Sequence, residues 1–393
     1  MKKNRSKIIR NKLLVRKILP NILLVLFNWF LRSRKSDSAV ALKKNSKILI
    51  CNNAHLGDIV LSTAILPEIK KQYPGCSIFL LTGSWSEKII KDNILVNGTI
   101  IYDHWKLNRN PVSILKKIKR HVFTFSTALK QLKKAKFDVA IDLNFNFPNA
   151  IVLCFRAHIP VRIAFTSGGF GNLLTHPLEW KEKPQHVIDY YLELLHLADP
   201  GFAVNSHGLK PFLVNKVNPA HEKLPDYETL GIKKNNYLIF HMGSGLARKE
   251  WNLENWIELK EVFKRNGKKI VFTGQGEREQ ILIEQVMQPD SENCVNLCNK
   301  LSLTGFIDLV KHAGYLFCVD SLAGHIASAF DIPTVIIGNG INATALWRPN
   351  AITSDYIVKK LPCLPCYTGC AEMNCIKDIT TLDILAAIKI IVD

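Results

Sequence analysis

Three short segments of this chain combine residue types that could do chemistry on a phosphorylated substrate. The first is Gly57-Asp58, a few residues beyond the apolar run Lys47–Cys51. A carboxylate just past a strand's carboxyl end faces the crevice of an open α/β sheet, where a general base for a bound hydroxyl would stand. By residue type alone the commoner role is a helix cap, because an Asp oxygen accepts the free N–H groups of a first turn. The second segment is the turn inside YLFCVDSLAGHIASAFDIPTVII, residues 315–337. It reads as strand, turn, helix and strand, with Asp320, Ser321, Leu322, Ala323, Gly324 and His325 at the turn. A helix N-terminus in that position offers unpaired N–H groups and the positive end of a dipole to a diphosphate. The third is Met242-Gly243-Ser244-Gly245 followed by Arg248 and Lys249. Glycines let a backbone approach phosphate closely, Ser244 adds a hydroxyl, and the two cations can neutralise charge. A further strand-to-helix turn, Thr273-Gly274-Gln275-Gly276-Glu277, sets Glu277 to accept ribose hydroxyls or to favour its own helix N-terminus.

Motifs that are missing narrow the chemistry. The chain has no Asp-x-Asp clamp for a divalent metal on a nucleotide-sugar, no Gly-x-x-x-x-Gly-Lys-Ser/Thr, and no Gly-x-Gly-x-x-Gly dinucleotide fingerprint. Charge on a departing diphosphate must then be met by backbone N–H groups, a helix dipole, Lys249 and Arg248, without a catalytic metal or cofactor. Ten cysteines are present. Six are scattered among apolar residues, as small buried hydrophobes usually are. Cys363, Cys366, Cys370 and Cys375 cluster within thirteen residues. That spacing suggests a structural clip, metal or disulfide, and lacks the longer central gap of most zinc modules.

The elements that must hold these groups alternate in type. Lys47–Cys51, Cys76–Leu81, Phe137–Leu143, Val161–Phe165, Tyr237–His241, Lys269–Thr273, Tyr315–Val319 and Thr334–Ile337 read as strands. Asn52–Asp58 reads as a turn. Helical patterns cover Ile59–Gln72, 113–136, 185–198, Asn255–Gly267, Glu277–Gln288, Leu303–Ala313 and Thr380–Val392. Residues 200–235, rich in Pro, Asn, Lys and His, read as a connection. The pattern predicts an α/β protein of two facing Rossmann-like domains with parallel sheets and a cleft between them. Its predicted parts are an N-terminal segment 1–45, a domain 46–215 and a domain 216–393.

The net charge of +19 is unevenly placed. Residues 1–35 hold eleven Lys/Arg and no Asp or Glu, so the rest of the chain supplies only +8. Within that segment Ile18–Leu31 is a fourteen-residue apolar run, interrupted by Pro20 and Asn21 and flanked by cations. It falls short of the roughly 20 residues that span a bilayer. An interfacial helix on an anionic leaflet fits it, with a basic tail packed on the body as the alternative. A second basic stretch, 116–136, would turn the same side toward lipid. No nucleic-acid module accompanies these charges, and nucleic acid is not an expected partner.

At this point the motifs resemble a known family. AHLGDIVLSTAILPEIKKQYPGCSI, FDVAIDL, ARKEWNLENWIEL, FTGQGE, VDSLAGHIASAFDIPTVIIGN and CLPCYTGC are similar, in order, to segments of the ADP-heptose:lipopolysaccharide heptosyltransferases, glycosyltransferase family nine. The resemblance runs from Lys47 to the C-terminus. It implies a GT-B fold, with an acceptor site in the first domain and a nucleotide-sugar site in the second. It further implies an inverting transfer from an ADP-sugar, ADP-heptose first, to a lipid-linked anionic acceptor at the cytoplasmic face of the inner membrane. Asp58 matches the family's catalytic base, Lys249 its phosphate-binding lysine, and Asp320–His325 its diphosphate turn. One departure is Leu322, where the family usually has glycine; it would crowd the phosphates. Leu322 keeps open the alternative of a membrane-tethered binding protein of the same fold.

Overall fold

The computed structural model describes residues 42–215, 224–288, 293–340, 344–366, 370 and 372–388. The N-terminal basic and apolar segment lies outside the described residues, apart from 42–45. Among the described residues, twelve strands form two six-stranded sheets, parallel throughout. The first contains β1 (Lys47–Cys51), β2 (Ser77–Thr82), β3 (Gly98–Ile101), β4 (Val139–Asp142), β5 (Val161–Phe165) and β6 (His176–Leu178), in the order β3-β2-β1-β4-β5-β6. The second contains β7 (Tyr237–His241), β8 (Lys269–Thr273), β9 (Cys294–Asn296), β10 (Tyr315–Val319), β11 (Thr334–Ile337) and β12 (Ser354–Ile357). Its order, β9-β8-β7-β10-β11-β12, repeats that of the first sheet. Each sheet therefore reverses direction of growth once, between β1 and β4 and between β7 and β10. A crevice opens beyond the strand ends at such a point.

The central strands are continuous apolar runs because helices cover both of their faces. Ile48, Leu49, Ile50 and Cys51 of β1 and all five residues of β10 are buried. The principal helices are α1 (Leu56–Ser62), α2 (Leu66–Gln72), α3 (Ile114–Ala135), α4 (Val187–Ala198), α5 (Leu253–Arg265), α6 (Glu277–Met287), α7 (Leu303–Lys311), α8 (Leu322–Ala329) and α9 (Thr381–Ala387). Where the sequence reads Asn52–Asp58 as a turn, the helix already starts at Leu56, so Gly57 and Asp58 lie inside its first turn. The final helix is described only as far as Ala387. No helix among the described residues is long and apolar enough to cross a membrane.

Buried apolar residues of both halves join in one cluster, and polar ties add to it. His186 Nε2 lies 2.8 Å from the Arg348 carbonyl oxygen. The Asn350 amide donates to the carbonyls of Ser206 (3.1 Å) and Leu209 (2.5 Å), and Lys210 pairs with Asp331.

Candidate active site

The two crevices face each other and enclose one cleft of about 760 Å³. From the first half it is lined by His55, Gly57, Asp58, Trp85 and Arg109. The second half contributes Ser244, Lys249, Glu279 and the turn Asp320-Ser321-Leu322 with His325.

Asp58 is both a cap residue and a cleft residue. The His55 backbone N–H donates to its Oδ2 at 2.9 Å, closing the first turn of α1 from the third helical position. The same residue lines the cleft. Burial pushes the carboxyl up to about 6, opposed by the His55 N–H and by the positive charges of Arg109 and Lys249. His55 is pushed down to about 4 by burial and then by Arg109, so it is neutral at neutral pH.

Opposite Asp58 stands the turn after β10. Lys249 Nζ donates to Asp320 Oδ2 at 2.7 Å, and the Asn339 amide donates to the same oxygen at 3.1 Å. An ammonium has three protons, so Lys249 keeps two for a further acceptor. The Ser321 hydroxyl and His325 Nδ1 are buried and have no hydrogen-bond partner among the described residues. Leaving such groups dry costs about 1–3 kcal/mol each unless something fills the cleft beside them. His325 is held neutral, down to about 4, chiefly by burial. The two halves nearly touch here: a Cβ added at Gly57 would lie 3.0 Å from His325 Cδ2. Leu322 has helical backbone at the start of α8, lines the cleft and packs on the core, so the position does not require glycine's conformational freedom. Ala323 and Gly324 are buried behind the turn and do not line the cleft.

The wall of the cleft from the second half differs from the sequence expectation at two residues. Glu277 is exposed at the first position of α6 and lies away from the cleft, as does Arg248. Glu279, two residues further on, reaches the cleft instead. The Gln275 N–H donates to its Oε2 at 2.9 Å. Gly243 and Gly274 make room for it, since added Cβ atoms would come within 2.0 and 2.8 Å of the Glu279 carboxylate. Burial raises the Glu279 pKa from its ordinary value. Beside it, His241 lies 2.9 Å from Thr273 Oγ1 through Nδ1, and its ring is 5.2 Å from that of Phe306, with Leu297 and Leu303 on the same wall. Ser244 lines the cleft, although its hydroxyl is engaged with the Leu246 carbonyl at 2.8 Å.

Arg109 was missed because it sits in an irregular segment between β3 and α3, where no periodic pattern marks it. It reaches across the cleft: a Cβ at Gly245 would lie 2.6 Å from Arg109 Nη1. Among the described residues no carboxylate lies within ion-pair distance of it. Trp85 is fixed by its indole N–H donating to the Ala54 carbonyl at 2.8 Å.

None of the four clustered cysteines lines the cleft. Cys363 and Cys370 are exposed and Cys375 is buried. Among the described residues no group of three His, Cys, Asp or Glu side chains converges to hold a metal. The segment is tied down differently, by the Cys366 N–H donating to the Gly340 carbonyl at 2.7 Å and the Gly340 N–H donating to Cys375 Sγ at 3.4 Å. Gly340 follows Asn339, the partner of Asp320, so this segment braces the Asp320–His325 turn.

Known proteins resemble this chain in sequence and in fold. A 20% identical relative, lipopolysaccharide heptosyltransferase 3 of Escherichia coli (strain K12), covers 75% of this chain and 82% of that protein. Lipooligosaccharide heptosyltransferase 2 of Haemophilus ducreyi is 22% identical over 74% of this chain and 82% of its own length. Among solved structures, a glycosyl transferase family 9 protein from Veillonella parvula superposes with a TM-score of 0.71 at 18% identity, covering 90% of this chain and 98% of its own. An Escherichia coli heptosyltransferase with ADP-2-deoxy-2-fluoro heptose gives 0.63 at 15% identity, covering 87% and 99%. Both comparisons identify the fold as GT-B. The family description "Glycosyltransferase family 9 (heptosyltransferase)" matches residues 126–375, well over half of the sequence, and the chain belongs to that family of glycosyltransferases.

Proposed function

We propose that this glycosyltransferase moves a heptose from ADP-heptose to a lipopolysaccharide core or another lipid-linked glycan, with inversion at the anomeric carbon. The observation that carries the reading is the facing of Asp58 and the Lys249–Asp320–His325 group across one cleft, with Gly57 against His325. The Asp58 carboxylate accepts the proton of the acceptor hydroxyl as the hydroxyl oxygen attacks the anomeric carbon. The bond from that carbon to the diphosphate oxygen breaks, and the electron pair leaves with ADP. Charge on the leaving group falls to the two remaining protons of Lys249, the Ser321 hydroxyl, His325 and the first N–H groups of α8. The apolar wall beside His241 and Phe306 suits an adenine, and Glu279 suits the ribose hydroxyls. Relatives named as lipopolysaccharide and lipooligosaccharide heptosyltransferases, and solved structures with ADP or an ADP-heptose analogue, support the choice of donor and acceptor class. Metal independence follows from the missing Asp-x-Asp and the protein cations at hand. Residues 1–35, with eleven cations and a short apolar run, would hold the enzyme at the inner leaflet, on its cytoplasmic side.

Calorimetric titration with ADP tests the donor site. Wild type should bind it, and Lys249→Ala should weaken binding about tenfold or more, the worth of a hydrogen bond to a charged group. Equal affinity in both proteins would move the diphosphate elsewhere. A second reading, a sugar-nucleotide binder that does not transfer, rests on Leu322 lining the diphosphate turn. Tight ADP-heptose binding with no turnover in wild type, and turnover appearing in Leu322→Gly, would select it.

A further inference from the structure

We infer that the outward face of α3 near its N-terminus is a docking surface for an anionic phospholipid bilayer. A surface helix normally buries one apolar stripe and exposes polar residues. In α3 the inward stripe is slight: Thr124, Ala128 and Leu132 are its buried residues. Phe125 and Leu129 add partly buried contacts with the core, whereas the large apolar side chains from Ile114 to Phe123 face solvent. Leu115, Ile118 and Val122, at i, i+3 and i+7, are 72%, 41% and 61% exposed, and Phe123 is 63% exposed. Val112 and Ile114 extend this patch over the Ser113 cap.

The charge around the patch says what covers it. Residues 112–136 contain eight Lys/Arg and no Asp or Glu. Arg120 is paired with Asp103 at 2.7 Å, but among the described residues Lys116, Lys119, Lys130, Lys133 and Lys134 make no ion pair. Lys116 and Lys119 sit within the apolar patch, and the other three continue along the helix. A second copy of this face, or residues 1–35 with their eleven cations, would bring like charges together. An anionic bilayer meets both demands, accepting apolar side chains below the headgroups while lysines snorkel to the phosphates. The neighbouring segment adds an interfacial rim: Lys106 Nζ lies 5.4 Å from the Trp105 ring and 4.9 Å from the Phe147 ring.

Position gives the patch its use. Arg109 and Asn110 line the cleft, and the apolar residues begin at Val112, so a bilayer seated on this face lies at the cleft mouth. That use rests on the reading of a lipid-linked acceptor; the docking itself does not.

The test uses the full chain and vesicles of phosphatidylcholine with roughly a quarter phosphatidylglycerol. Phe123→Trp should add fluorescence that brominated acyl chains quench beyond the wild-type level. The double variant Leu115→Glu with Phe123→Glu should lower co-sedimentation about tenfold, a fraction of the burial energy of two large apolar side chains. ADP release with a soluble, delipidated acceptor should be unchanged in that variant. Binding needs no nucleotide-sugar, so a failure here leaves the transfer reading standing, and a failure of transfer leaves the docking result intact. No added quenching in Phe123→Trp, undiminished co-sedimentation of the double variant, or a patch protected by an acidic peptide or oligonucleotide but not by vesicles would each overturn the inference.

Discussion

Asp58 closes the first turn of α1 and also lines the cleft, so the proposed role as base can be tested apart from its role in the fold. Asparagine can still accept the His55 N–H, so Asp58→Asn should fold and bind ADP while turnover falls on the order of 10²–10⁴, the usual worth of a general base. Because burial raises the Asp58 carboxyl to about 6 and the base form is the deprotonated one, turnover in wild type should climb with pH to a midpoint near 6 and then level. The same shift has a stability sign. A carboxyl whose folded pKa is above its ordinary 3.8 favours the folded state only when protonated, and that contribution is lost as pH rises through about 6. Asp58→Asn should therefore melt higher than wild type above that pH, with the gap closing below about pH 4; melting curves at several pH values check it. Lys249, Asp320, Ser321 and His325 were legible for the same reason as Asp58: each lies a few residues past a run of buried strand residues. Arg109 lies next to no such run, and nothing in its flanking residues distinguishes it from a solvated arginine.

At the scale of elements, fully buried strands were readable and edge strands were not. β1, β5, β7, β8, β10 and β11 match their apolar runs residue for residue, since burial on both faces demands unbroken hydrophobicity. β3, β6, β9 and β12 are three or four residues long, carry Gly, Pro, Asn or Asp, and sit at or next to sheet edges where one side is less demanding. Helix phase accounts for the mistaken acid. Glu277, at the first turn of α6, looks the natural ribose partner, yet the geometry turns it outward and brings in Glu279 through space left by Gly243 and Gly274. Gly243→Ala should displace that carboxylate and weaken ADP binding about tenfold, with little change in melting. Calorimetry beside a thermal melt separates the two effects. The cysteine-bearing segment acts as a brace, so Cys375→Ala should lower the melting temperature, whereas exposed Cys363→Ser should leave it near wild type.

The whole molecule repeats one topology twice and sets the two switch points face to face, which is why Asp58 of one half meets the Asp320–His325 turn of the other. This much followed from counting alternating strands and helices. How closely the halves approach did not, because it depends on contacts such as Gly57 with His325 and His186 with Arg348, between residues more than a hundred positions apart. A protein that meets leaving-group charge with Lys249, Ser321, His325 and a helix N-terminus should keep its turnover in EDTA; loss in EDTA with recovery on adding Mg²⁺ would contradict that part of the account. The most direct test is ADP release from ADP-heptose in the presence of a heptose-deficient lipopolysaccharide acceptor, measured for wild type and Asp58→Asn after both are shown to bind ADP equally. The account predicts acceptor-dependent release by wild type and a fall on the order of 10²–10⁴ in the variant. Equal release by both proteins, or none by wild type with any ADP-sugar, would contradict it.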